Sequence, residues 1–188
     1  MKVGIFGGSF NPIHNGHLIL AEYVREKACL DKIIFIPVGL PCHKENNLID
    51  SQLRLKLIKI AIENRTYFQV SDIEIRENKI NYTYDTLLKL KELYPHYNFV
   101  EIIGEDSAVY LHKWKNYEKL IEDTEIYICR RSNYEYNSKH KNIKILDTPR
   151  IDISSTDIRN RLREGRSIAY LVPEKIENIL REGDINNL

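Results

Sequence analysis

The sequence predicts an α/β protein with a doubly wound, mostly parallel sheet and helices on both faces. Short apolar runs rich in Ile, Val and Phe alternate with longer stretches of helical periodicity. The runs are mostly continuous rather than alternately polar, as expected of strands covered on both sides. Strand–helix alternation implies right-handed crossovers, and with them a parallel sheet.

The elements follow in order. Strands are read at residues 3–6, 33–38, 68–75, 99–103, 126–129 and 143–146. Helices are read at 16–29, 51–64, 82–94 and, more briefly, 117–121. A short helical C-terminal segment holds two more, 155–164 before Gly165 and 173–182 before Gly183. Each of these two has a Ser/Thr or Pro start signal and a glycine stop. Residues 39–50 and 131–142 read as long loops, which often carry function when they border a site.

Composition narrows the class. The 188 residues suit one domain, 1–188, and are 43% hydrophobic and 29% charged with a net charge of +1. That balance argues against a general nucleic-acid or membrane surface, which needs a basic excess. No apolar run reaches eighteen residues and no leader pattern is present, so neither a membrane span nor secretion is expected. The three cysteines, Cys29, Cys42 and Cys129, lack C-x-x-C spacing and read as thiols in a reducing cytoplasm. No protein-built metal site is expected, because His14 and His17 have no carboxylate or thiol partner at helical spacing.

The most informative stretch is Gly7-Gly8-Ser9-Phe10-Asn11-Pro12-Ile13-His14-Asn15-Gly16-His17. It joins the first strand to the first helix. Glycines let the backbone approach an anion, and a helix N-terminus offers unpaired N–H groups with a favourable dipole. His14 and His17, three apart, share one helical face and can reach one ligand. Further polar clusters also follow strand ends: His43-Lys44, Gly104 to Asp106, Arg130-Arg131 and Ser154-Ser155. All five clusters therefore fall on the sheet edge where open α/β sheets bind ligands.

The glycine–histidine stretch resembles the H-x-G-H signature of a nucleotidyltransferase superfamily of Rossmann-like fold. Ile153-Ser154-Ser155-Thr156-Asp157-Ile158-Arg159 resembles its second signature, I-S-S-T-x-I-R. Ser and Thr there also suit an ordinary N-cap, and the helix start with an Arg one turn in suits a phosphate. Intermediate pieces narrow the likeness to bacterial nicotinate mononucleotide adenylyltransferases. They are Pro41-Cys42-His43-Lys44, Asp72-Ile73-Glu74-Ile75, Asn81 to Leu87, Ile103 to Asp106, Leu111 to Trp114 and Cys129-Arg130-Arg131. Two positions depart from that pattern: Asn11 stands where these enzymes usually have Asp, and Cys42 where they usually have Pro.

The resemblance implies adenylyl transfer from ATP to nicotinate mononucleotide, with Mg²⁺ carried on the ATP phosphates. It implies catalytic roles for His14, His17 and Arg159, with His17, protonated when ligand is bound, nearest the α-phosphate. Gly7, Gly8, Ser9, Phe10, Lys44, Gly104, Asp106, Ser154, Ser155 and Ile158 would bind the nucleotide. Thr83, Trp114, Lys115 and Arg131 would bind the mononucleotide, the Trp114 ring stacking on the pyridine. Small molecules are thus the expected partners, with no nucleic acid and no membrane, and the oligomeric state stays open. Two alternatives share the first motif: another transferase of the superfamily, such as a phosphopantetheine adenylyltransferase, and a non-catalytic nucleotide-binding module.

Overall fold

A computed structural model describes residues 1–40, 48–77, 79–130 and 136–182. Six strands form one parallel sheet: β1 (Lys2–Gly8), β2 (Lys32–Pro37), β3 (Phe68–Val70), β4 (Asn98–Gly104), β5 (Glu125–Cys129) and β6 (Ile143–Leu146). Their spatial order is β3-β2-β1-β4-β5-β6. The chain first winds outward from β1 to β3, then crosses back to β4 and winds the other way. Between β1 and β4 the order reverses, which opens a crevice beyond the carboxyl ends of those two strands.

Helices cover both faces: α1 (Asn15–Lys27), α2 (Ser51–Ile62), α3 (Thr83–Leu93), α4 (Glu105–Ala108), α5 (Tyr117–Asp123), α6 (Ser155–Arg163) and α7 (Glu174–Glu182). A 3₁₀ turn, Leu111–Lys113, lies between α4 and α5. On one face Phe6, Phe35 and Ile102 pack against Ala21 and Val24 of α1, Leu57 and Ile58 of α2, Ile158 of α6 and Ile176 of α7. On the other, Val3, Ile5, Ile34, Phe99 and Ile103 pack against Leu87 and Leu90 of α3 and Leu120 of α5. Alternate strand residues serve opposite layers, which is why the runs read as continuous apolar sequence. Among the described residues no helix is long and apolar enough to cross a membrane.

The expected strand 68–75 is shorter. After Val70 one more amide, that of Ser71, donates to the Phe35 carbonyl at 2.9 Å, and the chain then leaves the sheet. The Ser71 hydroxyl accepts from the Ile73 amide, and the Arg76 amide closes a turn on the Asp72 carbonyl. Local side-chain bonding thus competes successfully with the ladder at this edge strand. The turn sends Glu74 inward, where it accepts a 2.7 Å hydrogen bond from Thr86 of α3.

At the start of β5, Glu125 sits between Lys2 at 3.0 Å and Lys144, and accepts from the Tyr127 hydroxyl. The Lys144 hydrogen bond, helped by Lys2, lowers its carboxyl from 4.5 to about 2. A depressed carboxylate stabilises the fold above its unfolded pKa and loses that contribution as pH falls through the folded one. Glu125→Gln should therefore lower the unfolding free energy by roughly 1–2 kcal/mol at pH 7, after discounting for partial solvent screening. Urea unfolding between pH 7 and pH 2 checks this: the gap between the two proteins should close as pH falls from about 4.5 toward 2.

Candidate active site

The β1–α1 connection is shaped by a reciprocal hydrogen-bonded cap. His14 is the N-cap of α1, and its Nδ1 accepts from the His17 amide at 3.4 Å. The Nδ1 of His17 accepts in return from the His14 amide at 3.2 Å. This is the geometry of a capping box, built from two imidazoles instead of the usual Ser/Thr and Glu pair. Gly16 fits tightly between them: a Cβ there would lie 3.0 Å from His14 Nδ1, so the ring would have to give by a few tenths of an ångström. The rings stack at 3.6 Å, and the edge of Phe10 closes on His17 at 5.0 Å between ring centres.

This cap fixes the tautomers. An Nδ1 that accepts an amide N–H carries no proton, so each ring bears its N–H on Nε2. In this arrangement a second proton on His17 Nδ1 would face the His14 backbone N–H. The two rings can donate through Nε2 without being charged.

The C-terminal helices return to the same loop. Ser155 Oγ donates to the Pro12 carbonyl at 2.8 Å, and Arg159 Nη1 donates to the Asn11 carbonyl at 2.7 Å. The Asn15 amide donates to the Leu171 carbonyl. His14, His17, Ser155 and Arg159 are therefore gathered around one turn, although they lie more than 130 positions apart in the sequence. A composite donor surface of this kind suits a polyphosphate.

Other expected residues are placed as follows. Gly7 is exposed at the end of β1, and Gly8 lies under the Phe10 ring. The Ser9 carbonyl is held by Arg54, and Phe10 is buried with φ 44°. Ser154 caps α6 by accepting from the Asp157 amide. Ile158 is fully buried, and its amide donates to the Ser154 carbonyl. Gly104 and Asp106 lie where β4 runs into α4, across the crevice from β1. Lys44 and Arg131 lie outside the described residues.

On the acceptor side, Thr83 is the first residue of α3, whose start has no side-chain cap. Lys115 reaches it: its Nζ pairs with Asp85 at 2.9 Å and lies 4.5 Å from the centre of the Tyr82 ring. The Asp85 hydrogen bond raises the Lys115 pKa. Trp114 is half-buried against the same layer as Tyr84 and Ile103. Segments 82–85 and 114–115 thus meet, and they present an ammonium beside an uncapped helix start.

Two structural residues escaped the sequence reading. Asn11, 2% exposed, accepts from the Ile49 amide through Oδ1 at 2.8 Å. A neutral amide does this without burying a charge, which accounts for Asn at this position. Arg54, 1% exposed, donates to the carbonyls of Ser9, Val38 and Ile49 at 2.8, 2.8 and 3.0 Å. Its signal was available: Arg54 is in helical phase with Leu57, Ile58 and Ile62 on the buried face of α2. Arg54→Met should cost about 3 kcal/mol, because three buried carbonyls lose a charged donor, and chemical denaturation measures it.

The fold and this crevice define the class: a Rossmann-like α/β protein built to handle a nucleotide. A family model described as Cytidylyltransferase-like matches residues 5–161. A Fusobacterium nucleatum protein described as "Probable nicotinate-nucleotide adenylyltransferase" is 45% identical over 97% of this chain and 98% of its own. One of the same description from Exiguobacterium sibiricum is 39% identical over 98% of each. In fold, the chain matches a Plasmodium falciparum nicotinic acid mononucleotide adenylyltransferase complexed with NaAD, with a TM-score of 0.81 over 95% of this chain and 94% of that one, at 22% identity. The chain belongs to the nicotinate-nucleotide adenylyltransferase family.

Proposed function

We propose that residues 1–188 act as one catalytic domain that transfers the adenylyl group of ATP to nicotinate mononucleotide. The products are nicotinate adenine dinucleotide and pyrophosphate. The observation that carries this reading is the gathering of the two imidazoles, Ser155 and Arg159 around the 11–14 turn.

The acceptor's phosphate oxygen is already a nucleophile, so the reaction needs positioning and charge stabilisation rather than a general base. That oxygen attacks the α-phosphorus in line. The bond from the α-phosphorus to the α–β bridging oxygen breaks, and its electron pair leaves with pyrophosphate. His17, with His14 behind it, donates through Nε2–H to the α-phosphate oxygens. Arg159 and the start of α6 receive the leaving pyrophosphate. A guanidinium carries five N–H donors, so the bond to Asn11 is compatible with that role. Thr83 and the uncapped start of α3, with Lys115, receive the nicotinate carboxylate, and Trp114 packs on the ring.

Among the described residues no group of three His, Cys, Asp or Glu side chains could hold a metal ion. Mg²⁺ would be carried in on the triphosphate, held mainly by phosphate and water oxygens, and would neutralise phosphate charge there. Cys29 is a free, exposed thiol, which suits a reducing cytoplasm.

Pyrophosphate release from ATP and Mg²⁺ tests the reading, with nicotinate mononucleotide and then its amide as acceptor. Product with the acid in excess of the amide is expected; no product with either contradicts it. His17→Ala should lower turnover about 10²–10³-fold while remaining folded by circular dichroism. Unchanged turnover would remove the catalytic assignment. Trp114→Ala should raise KM for the mononucleotide well above any change in KM for ATP. Equal changes would make the ring a packing element alone.

A further inference from the structure

One buried group has no part in the scheme above. Glu101 lies on β4 opposite Ile5 of β1, between Phe99 and Ile103 on the strand. Two-residue alternation puts its side chain in the layer that also holds Tyr84 of α3 and Trp114. Glu101 is 3% exposed, and its Oε2 is fully buried without a hydrogen-bond partner. The desolvation penalty of such a group is a standing cost to the fold.

The groups around it do not offset that cost. Glu74 enters from the turn after β3, with its own carboxyl bonded to Thr86 of α3. Lys89 and Glu77 act on Glu74, whereas Glu74 is the charge that acts on Glu101. Burial first, and then Glu74, raise the Glu101 carboxyl well above its ordinary range. The pair makes this part of the layer electronegative whenever it ionises.

Glu101 is also within reach of a ligand. Gly7, the residue of β1 above it, is exposed. The nearest atom to a Cβ built on Gly7 is Glu101 Oε1, at 4.0 Å. A ligand seated over Gly7, at the switch point between β1 and β4, meets a carboxyl oxygen beneath it. The opening is on the Trp114 and Thr83 side of the sheet, away from the layer of α1 and α6.

We infer that Glu101 is a specificity-determining residue of the acceptor site, whose carboxylate pairs with a cationic heteroaromatic ring of the acceptor nucleotide. This rests on the proposed acceptor, in which the glycosidic bond to a pyridine nitrogen leaves a fixed positive charge on the ring. An acceptor without that charge gains no ion pair with the carboxyl, so it binds less tightly than the cation. The charge balance is simple. Any proton held by the carboxyl goes to solvent as the cation arrives, and no covalent bond changes.

Glu101→Gln and Glu101→Leu test this, with nicotinate mononucleotide and its reduced, uncharged dihydropyridine form as probes. Glu101→Gln should raise KM for nicotinate mononucleotide about tenfold or more, leave KM for ATP within about twofold, and discriminate less against the reduced probe. Calorimetry at pH 7 in two buffers of different ionisation enthalpy should show wild type releasing up to one more proton per acceptor bound than Glu101→Gln. Both variants should resist urea as well as wild type or better, whereas a structural role would weaken them. Unchanged KM and unchanged proton release in Glu101→Gln overturn the inference, even if wild type is an active adenylyltransferase. Wild-type turnover that fails while the proton difference persists overturns the proposed reaction and leaves the Glu101 pairing standing.

Discussion

The site depends on the mutual cap between His14 and His17. Each imidazole accepts from the backbone amide of the other, and the His17 amide also donates to the His14 carbonyl at 3.0 Å, so both rings are tied to the start of α1. Ring stacking and the Phe10 edge remove the remaining freedom. Catalytic preorganisation and helix initiation therefore use the same two side chains. The glycine between them leaves little room for a side chain, so the H-x-G-H spacing serves packing as well as chemistry.

Around that cap, the loop's carbonyls are held by donors from distant parts of the chain. Arg54 of α2 holds Ser9, Arg159 of α6 holds Asn11, and Ser155 holds Pro12. Each of these bonds turns a negative backbone pole toward the protein and away from the approach of an anion. The positive side chains thus act twice, through their own charge and through the carbonyls that they withdraw. This explains why the first and last thirds of the chain must fold together before the crevice exists.

Much of the architecture could be read from the residues. The parallel order follows from continuous apolar runs alternating with helical ones, and the site edge follows from polar clusters placed after strand ends. Strand 68–75 was overread because Ile73 and Ile75 continue an apolar pattern that the Ser71 turn breaks by local hydrogen bonding. Ile158 sits inside the second signature but packs into the core, which the signature alone does not show. Arg54 and Glu101 were missed for one reason. Each is a charged residue in a core phase, and only the folded chain shows which backbone or cavity it meets.

The state of the two imidazoles is the most direct test of this account. Long-range ¹⁵N–¹H correlation spectra of the protein near neutral pH report the protonation of each ring nitrogen. Both His14 and His17 should show a protonated Nε2 and an unprotonated, hydrogen-bonded Nδ1. Spectra with the proton on Nδ1 of either ring, or with rings exchanging freely between tautomers, would contradict the cap on which the site is built.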